Sequence, residues 1–364
     1  MIPSGITRRS LLAAGAASLA APARAQDLRT LRSIAAARGF VFGTAAASYE
    51  LKDADFPPVL VGEAAQIVPE YEMKRGALEP QPGRYDFSAL DTLFGFAARN
   101  GLSLRGHPLV WYTANPAWLK DSLAARRDER LLTGHIQTLL KRYTFASVDV
   151  VNEALMPPGS TQRGYRPSLW LAAFGPAYLD IAFHAARAAA PTTRLVYNDY
   201  GCEQGSAGND RFRADTLRLL DGLLARGVPV DALGLQAHLT AFTDPVDQGK
   251  LRAFLEEVRA RGLGLQVTEL DVDDSGGSSD IARRDGAVAD TARRFLDVVL
   301  DSPALESVLT WNLSDRYVDP PDEWRLKLAG FRYRKTPFDA AMRRKPLWEA
   351  MARAFAGRRA HLRL

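Results

Sequence analysis

Two glutamates in the sequence are placed where a pair of carboxylates could act on one substrate. Glu153 comes just after the apolar run 148–151, and Glu269 comes just after the apolar run 265–268. If both runs are parallel strands of one barrel, their carboxyl ends meet at the same rim and the two side chains face one cleft. Glycoside hydrolysis needs such a pair, one carboxyl group to protonate the leaving oxygen and one to attack or to activate water.

The ends of the other apolar runs carry residues that suit the binding of a sugar. Tryptophan covers the apolar face of a sugar ring, while amide, imidazole and ammonium groups bond its hydroxyls. The candidate contact residues are Lys74, His107, Trp111, Asn152, Gln236, His238 and Trp311, with Asp271 in a supporting position beside Glu269. A lone glutamate or tryptophan at such a place is as readily explained by a rim ion pair or by core packing. Their joint occurrence at successive strand ends favours a substrate cleft.

Short apolar runs alternate with longer amphipathic stretches, and no Pro/Ser-rich linker divides the chain. The strand candidates are 41–46, 66–69, 103–110, 148–151, 194–197, 232–235, 265–268 and 307–310. The helical patterns include 88–100, 168–190, 210–226, 248–261 and 280–300. Eight strand-then-helix units predict an α/β fold with a single (β/α)8 TIM barrel over residues 26–364. An open doubly wound sheet is the alternative, but no G-x-G-x-x-G turn follows the first strand.

Several other classes of site lack their sequence signals. There is no H-E-x-x-H, no G-x-S-x-G and no cysteine cluster, and the five histidines show no metal-ligand spacing. His135 and His184 lie inside helical patterns and are interpreted as structural. Cys202 is the single cysteine, so no internal disulfide can form. We predict no metal ion and no cofactor.

Residues 1–25 are predicted to be a twin-arginine-type signal peptide. Arg8 and Arg9 precede a small-residue apolar stretch, and Ala23-Arg24-Ala25 offers a cleavage site. An uncleaved anchor is the weaker alternative, because the stretch is shorter than the roughly 20 residues that a spanning helix needs. We therefore expect export across a bacterial inner membrane to the periplasm or beyond, with no stable membrane anchoring after cleavage.

The net charge gives no reason to expect a nucleic-acid partner. The formal charge is +5, and removal of the three leader arginines leaves 44 basic residues against 42 acidic ones. A net charge of about +2 is too small to indicate binding to nucleic acid or to a membrane surface. We expect a monomer.

Several blocks of the sequence together resemble glycoside hydrolase family 10, the endo-β-1,4-xylanases. They occur in the order typical of the family, one per expected strand, and extend over nearly the whole mature chain. The blocks are Glu72-Met73-Lys74, LRGHPLVW at 104–111, DVVNEA at 149–154, YNDY at 197–200, GLQAHL at 234–239, TELD at 268–271 and Lys345-Pro346.

The resemblance implies a retaining endo-β-1,4-xylanase that acts on xylan or xylo-oligosaccharides, with Glu153 as acid/base and Glu269 as nucleophile. Asn152 would bond the sugar 2-hydroxyl, and His238, positioned by Asp271, would keep Glu269 ionised. The remaining contacts would be made to sugar hydroxyls by Lys74, His107 and Gln236 and to the sugar ring by Trp111 and Trp311.

The chain also departs from the family pattern. Tyr71 stands where an Asn is usual and Tyr112 where a His commonly follows the Trp, while Arg75, Val148 and Asp319 each stand where a Trp is expected. The departures fall on substrate contacts and spare the catalytic pair, so they bear on substrate preference more than on reaction type.

Two other functions are compatible with the sequence. One is another retaining β-glycosidase, a β-1,4-glucanase or a xyloside-conjugate hydrolase, that uses the same two carboxylates. The other is a weakly active oligosaccharide-binding protein. Binding alone needs no acid/base pair, so the presence of both carboxylates with His238 and Asp271 favours an enzyme.

Overall fold

Eight parallel strands close into a barrel in the computed structural model, which describes residues 30–318 and 330–358. They are β1 (Val41–Ala46), β2 (Gln66–Pro69), β3 (Ser103–Gly106), β5 (Ser147–Asn152), β6 (Arg194–Asp199), β7 (Ala232–Leu235), β9 (Gly264–Asp273) and β10 (Leu305–Thr310). β10 pairs with both β9 and β1, which closes the sheet. Two short strands, β4 (Val110–Trp111) and β8 (His238–Thr240), pair with β5 and β9. The predicted TIM barrel is confirmed, and an open sheet is excluded.

Helices cover the outside of the barrel and bury their apolar faces against it. They are α1 (Leu31–Ala36), α2 (Phe56–Glu63), α3 (Arg75–Leu78), α4 (Ser88–Asn100), α5 (Ala117–Ala125), α6 (Arg130–Arg142), α7 (Leu169–Phe174), α8 (Tyr178–Ala189), α9 (Ala207–Ala225), α10 (Gln248–Ala260), α11 (Ile281–Val299) and α12 (Pro346–Gly357). α9 ends just before Gly227, where the sequence predicted a helix end. The φ of Gly227 is +71°, a value that glycine adopts readily and that a residue with a β-carbon avoids. In residues 30–318 and 330–358 no helix has the length and apolar character needed to span a bilayer.

Two predicted elements are interrupted. The expected helix 168–190 is divided into α7 and α8, because Gly175 takes a φ of +60° and Pro176 begins a new turn of 3-10 helix. The expected strand 103–110 is divided into β3 and β4. Pro108 has no N–H to donate, and the N–H of His107 bonds Sδ of Met73 at 3.2 Å rather than a neighbouring strand. The predicted leader and Asp319 lie outside the described residues.

The barrel interior below the strand ends contains a fully buried ion pair. Arg105 on β3 and Asp149 on β5 are both 0% exposed, and the guanidinium donates to both carboxylate oxygens. Gln266 on β9 accepts a further bond from Nε of Arg105 at 3.3 Å. Because each buried charge would be costly without the other, the pair holds the neighbouring strands β3 and β5 together. The bond to Gln266 extends this contact across the barrel to β9.

Candidate active site

One pocket at the carboxyl ends of the barrel strands brings together all nine side chains that were predicted to act on substrate or bind it. It has a volume of about 410 Å³ and is lined by Lys74, His107, Trp111, Asn152, Glu153, Gln236, His238, Glu269 and Trp311, together with Tyr200. Asp271 lies behind His238. A larger groove of about 580 Å³ between α11 and α12 carries no strand-end residue, so the smaller pocket is the candidate site.

Glu153 occupies a strained backbone position at the end of β5. Its φ of +56° lies in the left-handed region, which costs a residue with a β-carbon of order 1 kcal/mol or more. Oε1 accepts from Nδ2 of Asn152 and from Nε2 of Gln236, each at 3.1 Å. Oε2 accepts from Nη1 of Arg166 at 2.7 Å. The backbone turn and these three donors fix the carboxyl group in the pocket wall.

A chain of side-chain amides connects the two glutamates. Asn198 donates through Nδ2 to Oε1 of Glu269 at 2.7 Å and to Oδ1 of Asn152 at 2.8 Å. Gln236 donates to the same oxygen of Asn152 at 3.1 Å. Gly234 leaves the space that this requires, since a β-carbon there would overlap Oδ1 of Asn198. The amides therefore set the relative orientation of the two carboxylates.

A protonated histidine holds Glu269 in its ionised form. His238 lies with Nε2 3.2 Å from Oε2 of Glu269 and Nδ1 2.9 Å from Oδ1 of Asp271. Burial of the ring opposes its charge, but Asp271 and Glu269 outweigh this and raise the pKa of His238 to about 10. The side chain keeps 35% of its surface exposed, so solvent weakens the coupling without reversing it.

The two carboxylates beside His238 are correspondingly acidic. Burial opposes ionisation of Glu269, yet the nearby His107 and the bond from His238 lower the pKa of Glu269 to about 2. Burial also opposes ionisation of Asp271, but Lys335, at 2.8 Å, and His238 lower its pKa to about 2. Glu269 is thus a carboxylate at any ordinary pH.

His107, Asp149 and Glu269 are the one group of potential metal ligands found within the described residues, with the relevant atoms within 4.8 Å of one another. Asp149 is already occupied by Arg105, and Nδ1 of His107 lies 2.8 Å from Oδ2 of Asp149. Nδ1 is also 3.8 Å from Oε1 of Glu269. With a buried guanidinium as the cation of this group, the arrangement fits a hydrogen-bonded network better than a metal site. The absence of a metal stays a prediction.

Aromatic rings and Lys74 form a wall of the pocket that was expected to contact the sugar ring and its hydroxyls. Nζ of Lys74 lies 4.8 Å from the centre of the Tyr71 ring and 5.3 Å from that of Trp111, so both rings attract the ammonium. Nε1 of Trp111 is buried and has no hydrogen-bond partner among the described residues. Trp311 packs edge-on against His107 with ring centres 5.3 Å apart. Tyr71 thus packs its ring against the Lys74 ammonium, where the Asn usual in the family would present a side-chain amide.

Three residues of the site were not among the predicted contacts. Tyr200 lines the pocket, Asn198 joins the two glutamates, and Arg166 pairs with Glu153. Asn198 and Tyr200 belong to the block 197–200 at the end of the fifth predicted strand; the sequence placed Asn198 at the cleft but assigned neither residue a contact. Arg166 lies 13 residues beyond Glu153 in a loop, where no sequence signal indicates it. The structure shows where all these residues lie; their roles in turnover stay predictions.

The family model described as "Glycosyl hydrolase family 10" matches residues 30–354. The chain belongs to this family. Its curated relatives include "Endo-1,4-beta-xylanase 1" of Humicola insolens, 31% identical over 347 residues, which cover 93% of this chain and 76% of that protein. "Endo-1,4-beta-xylanase A" of Phanerodontia chrysosporium is 30% identical over 334 residues, 89% of this chain and 77% of that protein.

A solved structure of xylanase 10B from Thermotoga petrophila RKU-1 in complex with xylobiose is 28% identical, with a TM-score of 0.77. The match covers 90% of this chain and 97% of that one. The family resemblance inferred from the sequence blocks is confirmed, and with it the assignment as a glycoside hydrolase.

Two residues that depart from the common family 10 pattern, Arg75 and Val148, are buried in contacts outside the pocket. Arg75 is 6% exposed; its Nε donates to Oε2 of Glu79 at 3.0 Å, and its guanidinium lies over the rings of Trp118 and Trp170. Val148 is fully buried against Gly106, where a β-carbon would overlap Cγ2 of the valine. Neither residue lines the pocket.

The raised pKa of His238 predicts a pH-dependent contribution to stability in this family 10 enzyme. A base whose pKa rises on folding stabilises the fold fully below its unfolded pKa, and this stabilisation is lost as pH rises through the folded pKa. For His238 the window runs from its ordinary value of 6.5 to about 10. The difference in Tm between the parent and His238→Gln should therefore shrink as the pH is raised across this window, as measured by thermal denaturation.

His184→Gln is the matched control, because His184 is exposed on α8. Its Tm difference from the parent should stay small and constant over the same window. A constant difference for His238→Gln as well would show that folding does not raise the pKa of His238.

Proposed function

We propose that this protein is a retaining endo-β-1,4-xylanase that hydrolyses xylan or xylo-oligosaccharides through a covalent glycosyl-enzyme intermediate. The observation that carries the proposal is the pair of buried carboxylates in one pocket, one of which, Glu269, is held ionised by His238. The xylanase names of the relatives and the xylobiose complex of a similar structure support the substrate class. The aromatic rings and hydroxyl-binding groups of the pocket suit a sugar.

The two glutamates would divide the reaction into two displacements. In the first, an oxygen of Glu269 forms a bond to the anomeric carbon as the glycosidic C–O bond breaks. The bonding electron pair leaves with the glycosidic oxygen, which takes its proton from the Glu153 carboxyl group. In the second, Glu153 as carboxylate removes a proton from water, whose oxygen attacks the anomeric carbon and releases Glu269. Two inversions give overall retention of the β configuration.

The neighbours of the two glutamates suit these different roles. Glu269 is held by amide and imidazolium donors that stabilise its carboxylate, and bond formation to the sugar neutralises that charge. In the second step the Glu153 carboxylate acts as the base that takes the proton from water. Asn152 bonds Glu153 and lines the same pocket, where its amide could meet the sugar 2-hydroxyl.

The stereochemical outcome tests the proposed function directly. Retention requires the two carboxyl groups to be about 5 to 5.5 Å apart, whereas inversion leaves room for water at about 6.5 to 9.5 Å. We expect proton NMR during hydrolysis of xylo-oligosaccharides to show the β anomer first, followed by slow mutarotation. Comparison of the activity on xylan with that on a soluble cellulose derivative, under the same conditions, separates a xylanase from a β-1,4-glucanase. Initial release of the α anomer would rule out the double displacement.

Substitution of each glutamate separates the acid/base from the nucleophile. For Glu153→Ala we expect kcat/KM on xylan to fall by about 10²- to 10⁴-fold, the usual contribution of a general acid. On an aryl xyloside with a good leaving group the loss should be much smaller, and added azide should restore turnover by replacing the attacking water. Glu269→Ala should be nearly inactive on both substrates, since no covalent intermediate can form.

Glu63→Ala provides a matched control for the loss of a buried glutamate. Glu63 is 4% exposed but lies away from the pocket, where it accepts from Nε1 of Trp348 and from Arg344. Its substitution should lower Tm and leave the ratio of the two substrate activities unchanged. Identical substrate patterns for Glu153→Ala and Glu269→Ala would mean that the roles are wrongly assigned.

We also propose that residues 1–25 direct export through the twin-arginine route, which places the mature enzyme in the periplasm or outside the cell. The proposal rests on the sequence pattern alone. N-terminal sequencing of the protein recovered from the periplasm should give a chain that begins near Gln26. Recovery only of uncleaved cytoplasmic protein would argue against it.

A further inference from the structure

A buried arginine reaches Glu153 from a loop that the family's strand-end blocks do not contain. Arg166 follows Glu153 by 13 residues, and the chain between them leaves the barrel rim and returns to it. The N–H of Met156 donates to O of Gly164 at 2.9 Å, and the N–H of Arg166 donates to O of Ala154 at 2.8 Å. These bonds close the loop at its base, so that Arg166 is held beside the residue from which the loop departs.

Each nitrogen of the Arg166 guanidinium has a different partner. Nη1 donates to Oε2 of Glu153 at 2.7 Å, Nε to O of Leu155 at 3.0 Å and Nη2 to the hydroxyl of Tyr200 at 3.1 Å. The residue is 8% exposed. A planar guanidinium bonded along three directions has little freedom to turn, unlike a lysine ammonium in the same place.

Two aromatic rings complete the environment of this guanidinium. Its central carbon lies 4.5 Å from the centre of the Tyr112 ring and 5.4 Å from that of Tyr200, distances at which a ring face attracts a cation. Tyr112 is the residue that stands where family 10 commonly has a histidine. In this chain its ring thus packs on the side chain that binds Glu153, and it does not line the pocket.

We propose that Arg166 is a positioning residue for Glu153. Held by Tyr112 and Tyr200, its guanidinium keeps the Glu153 carboxyl group directed into the pocket and stabilises the carboxylate that remains after the proton has passed to the leaving oxygen. A charged hydrogen bond favours the carboxylate over the neutral acid, so it strengthens as the proton leaves. This inference rests on the proposed acid/base role of Glu153.

Other charged groups also face Glu153 and govern the choice of experiment. Asp199 on β6 is near both Glu153 and Arg166, and burial, reinforced by Glu153, raises the pKa of Asp199 to about 8 against the opposing effects of Tyr197 and Arg166. Across the pocket are the charges of Glu269 and His238. Because Arg166 interacts with both Glu153 and Asp199, a change in the pH profile of an Arg166 variant would not show which carboxyl group caused it. The dependence of the rate on the leaving group is a more specific measure of the acid step.

The test compares kcat/KM on xylan with kcat/KM on an activated aryl xyloside, whose departure needs little protonation. Arg166→Met should lose about 10- to 100-fold on xylan, part of what a general acid contributes, and less than about 3-fold on the aryl substrate. Arg166→Lys keeps the positive charge but lacks the planar guanidinium with its several N–H donors, and it should recover part of the loss on xylan. In the Glu153→Ala background, Arg166→Met should change the residual rate on xylan by less than about 3-fold, because the group through which it acts is gone.

The control removes a comparable buried arginine outside the site. Arg284 is 5% exposed and donates from Nε to the buried Asp274 at 2.7 Å. Arg284→Met should lower Tm while leaving the ratio of xylan to aryl xyloside activity unchanged.

The Arg166 role is overturned if Arg166→Met and Arg166→Lys lose the same factor on both substrates, or if the losses multiply in the Glu153→Ala background. A Glu153→Ala variant that shows no substrate dependence and no azide rescue would instead overturn the acid/base role itself. The two failures are therefore distinguishable.

Discussion

Two carboxylates buried in a single pocket need hydrogen-bond donors and opposite charges from the protein that surrounds them. Glu269 is 4% exposed and Glu153 is 8% exposed, so protein donors must replace most of the water that an exposed carboxylate would bind. Two such charges close together also oppose each other's ionisation. In this protein each carboxylate has a basic partner: His238 lies 3.2 Å from Glu269, and the guanidinium of Arg166 donates to Glu153 at 2.7 Å.

The same requirement extends below the pocket. Asp149, under His107, is itself a buried carboxylate and is neutralised by Arg105, which in turn bonds Gln266. Nε2 of Gln266 donates to Oε2 of Glu306 at 2.9 Å. A continuous line of polar contacts thus runs from the lower part of the barrel through His107 to Glu269. Each buried group is satisfied by the next, so the loss of one member would leave its neighbours unpaired.

Backbone strain is concentrated at the same rim. Glu153, Ala237 and Asn312 each have a positive φ, of +56°, +59° and +74°, and each comes directly after or near the end of a barrel strand. Left-handed backbone costs a residue other than glycine of order 1 kcal/mol or more and persists only where its surroundings hold it. At Ala237 that support includes the buried Glu203, which accepts its N–H at 3.0 Å. The barrel provides the rigidity that this geometry needs.

The sequence by itself determined the barrel and nine of the ten residues that line its pocket. Continuously apolar strands separated by helical stretches indicate a parallel sheet covered on both faces, and residues at successive strand ends of a closed barrel must share one rim. For that reason the side chains predicted from strand ends, among them Lys74 and Trp311, are found in one pocket. Strand positions were predicted closely, because the apolar runs that define them are set by burial.

Only the tertiary structure decided the contacts that depend on chain paths between the strands. The helix expected over 168–190 was divided at Gly175, where local backbone preference prevailed over a continuous apolar pattern. Arg166 and the ring of Tyr112 meet because a loop returns to its own starting point, and no periodicity in the sequence encodes that return. Whether Tyr71 would replace a sugar contact or support Lys74 likewise depended on side-chain directions. The carboxyl ends of parallel strands in a closed barrel must lie at one rim. The position of a loop, in contrast, is set by the particular hydrogen bonds and packing that hold it.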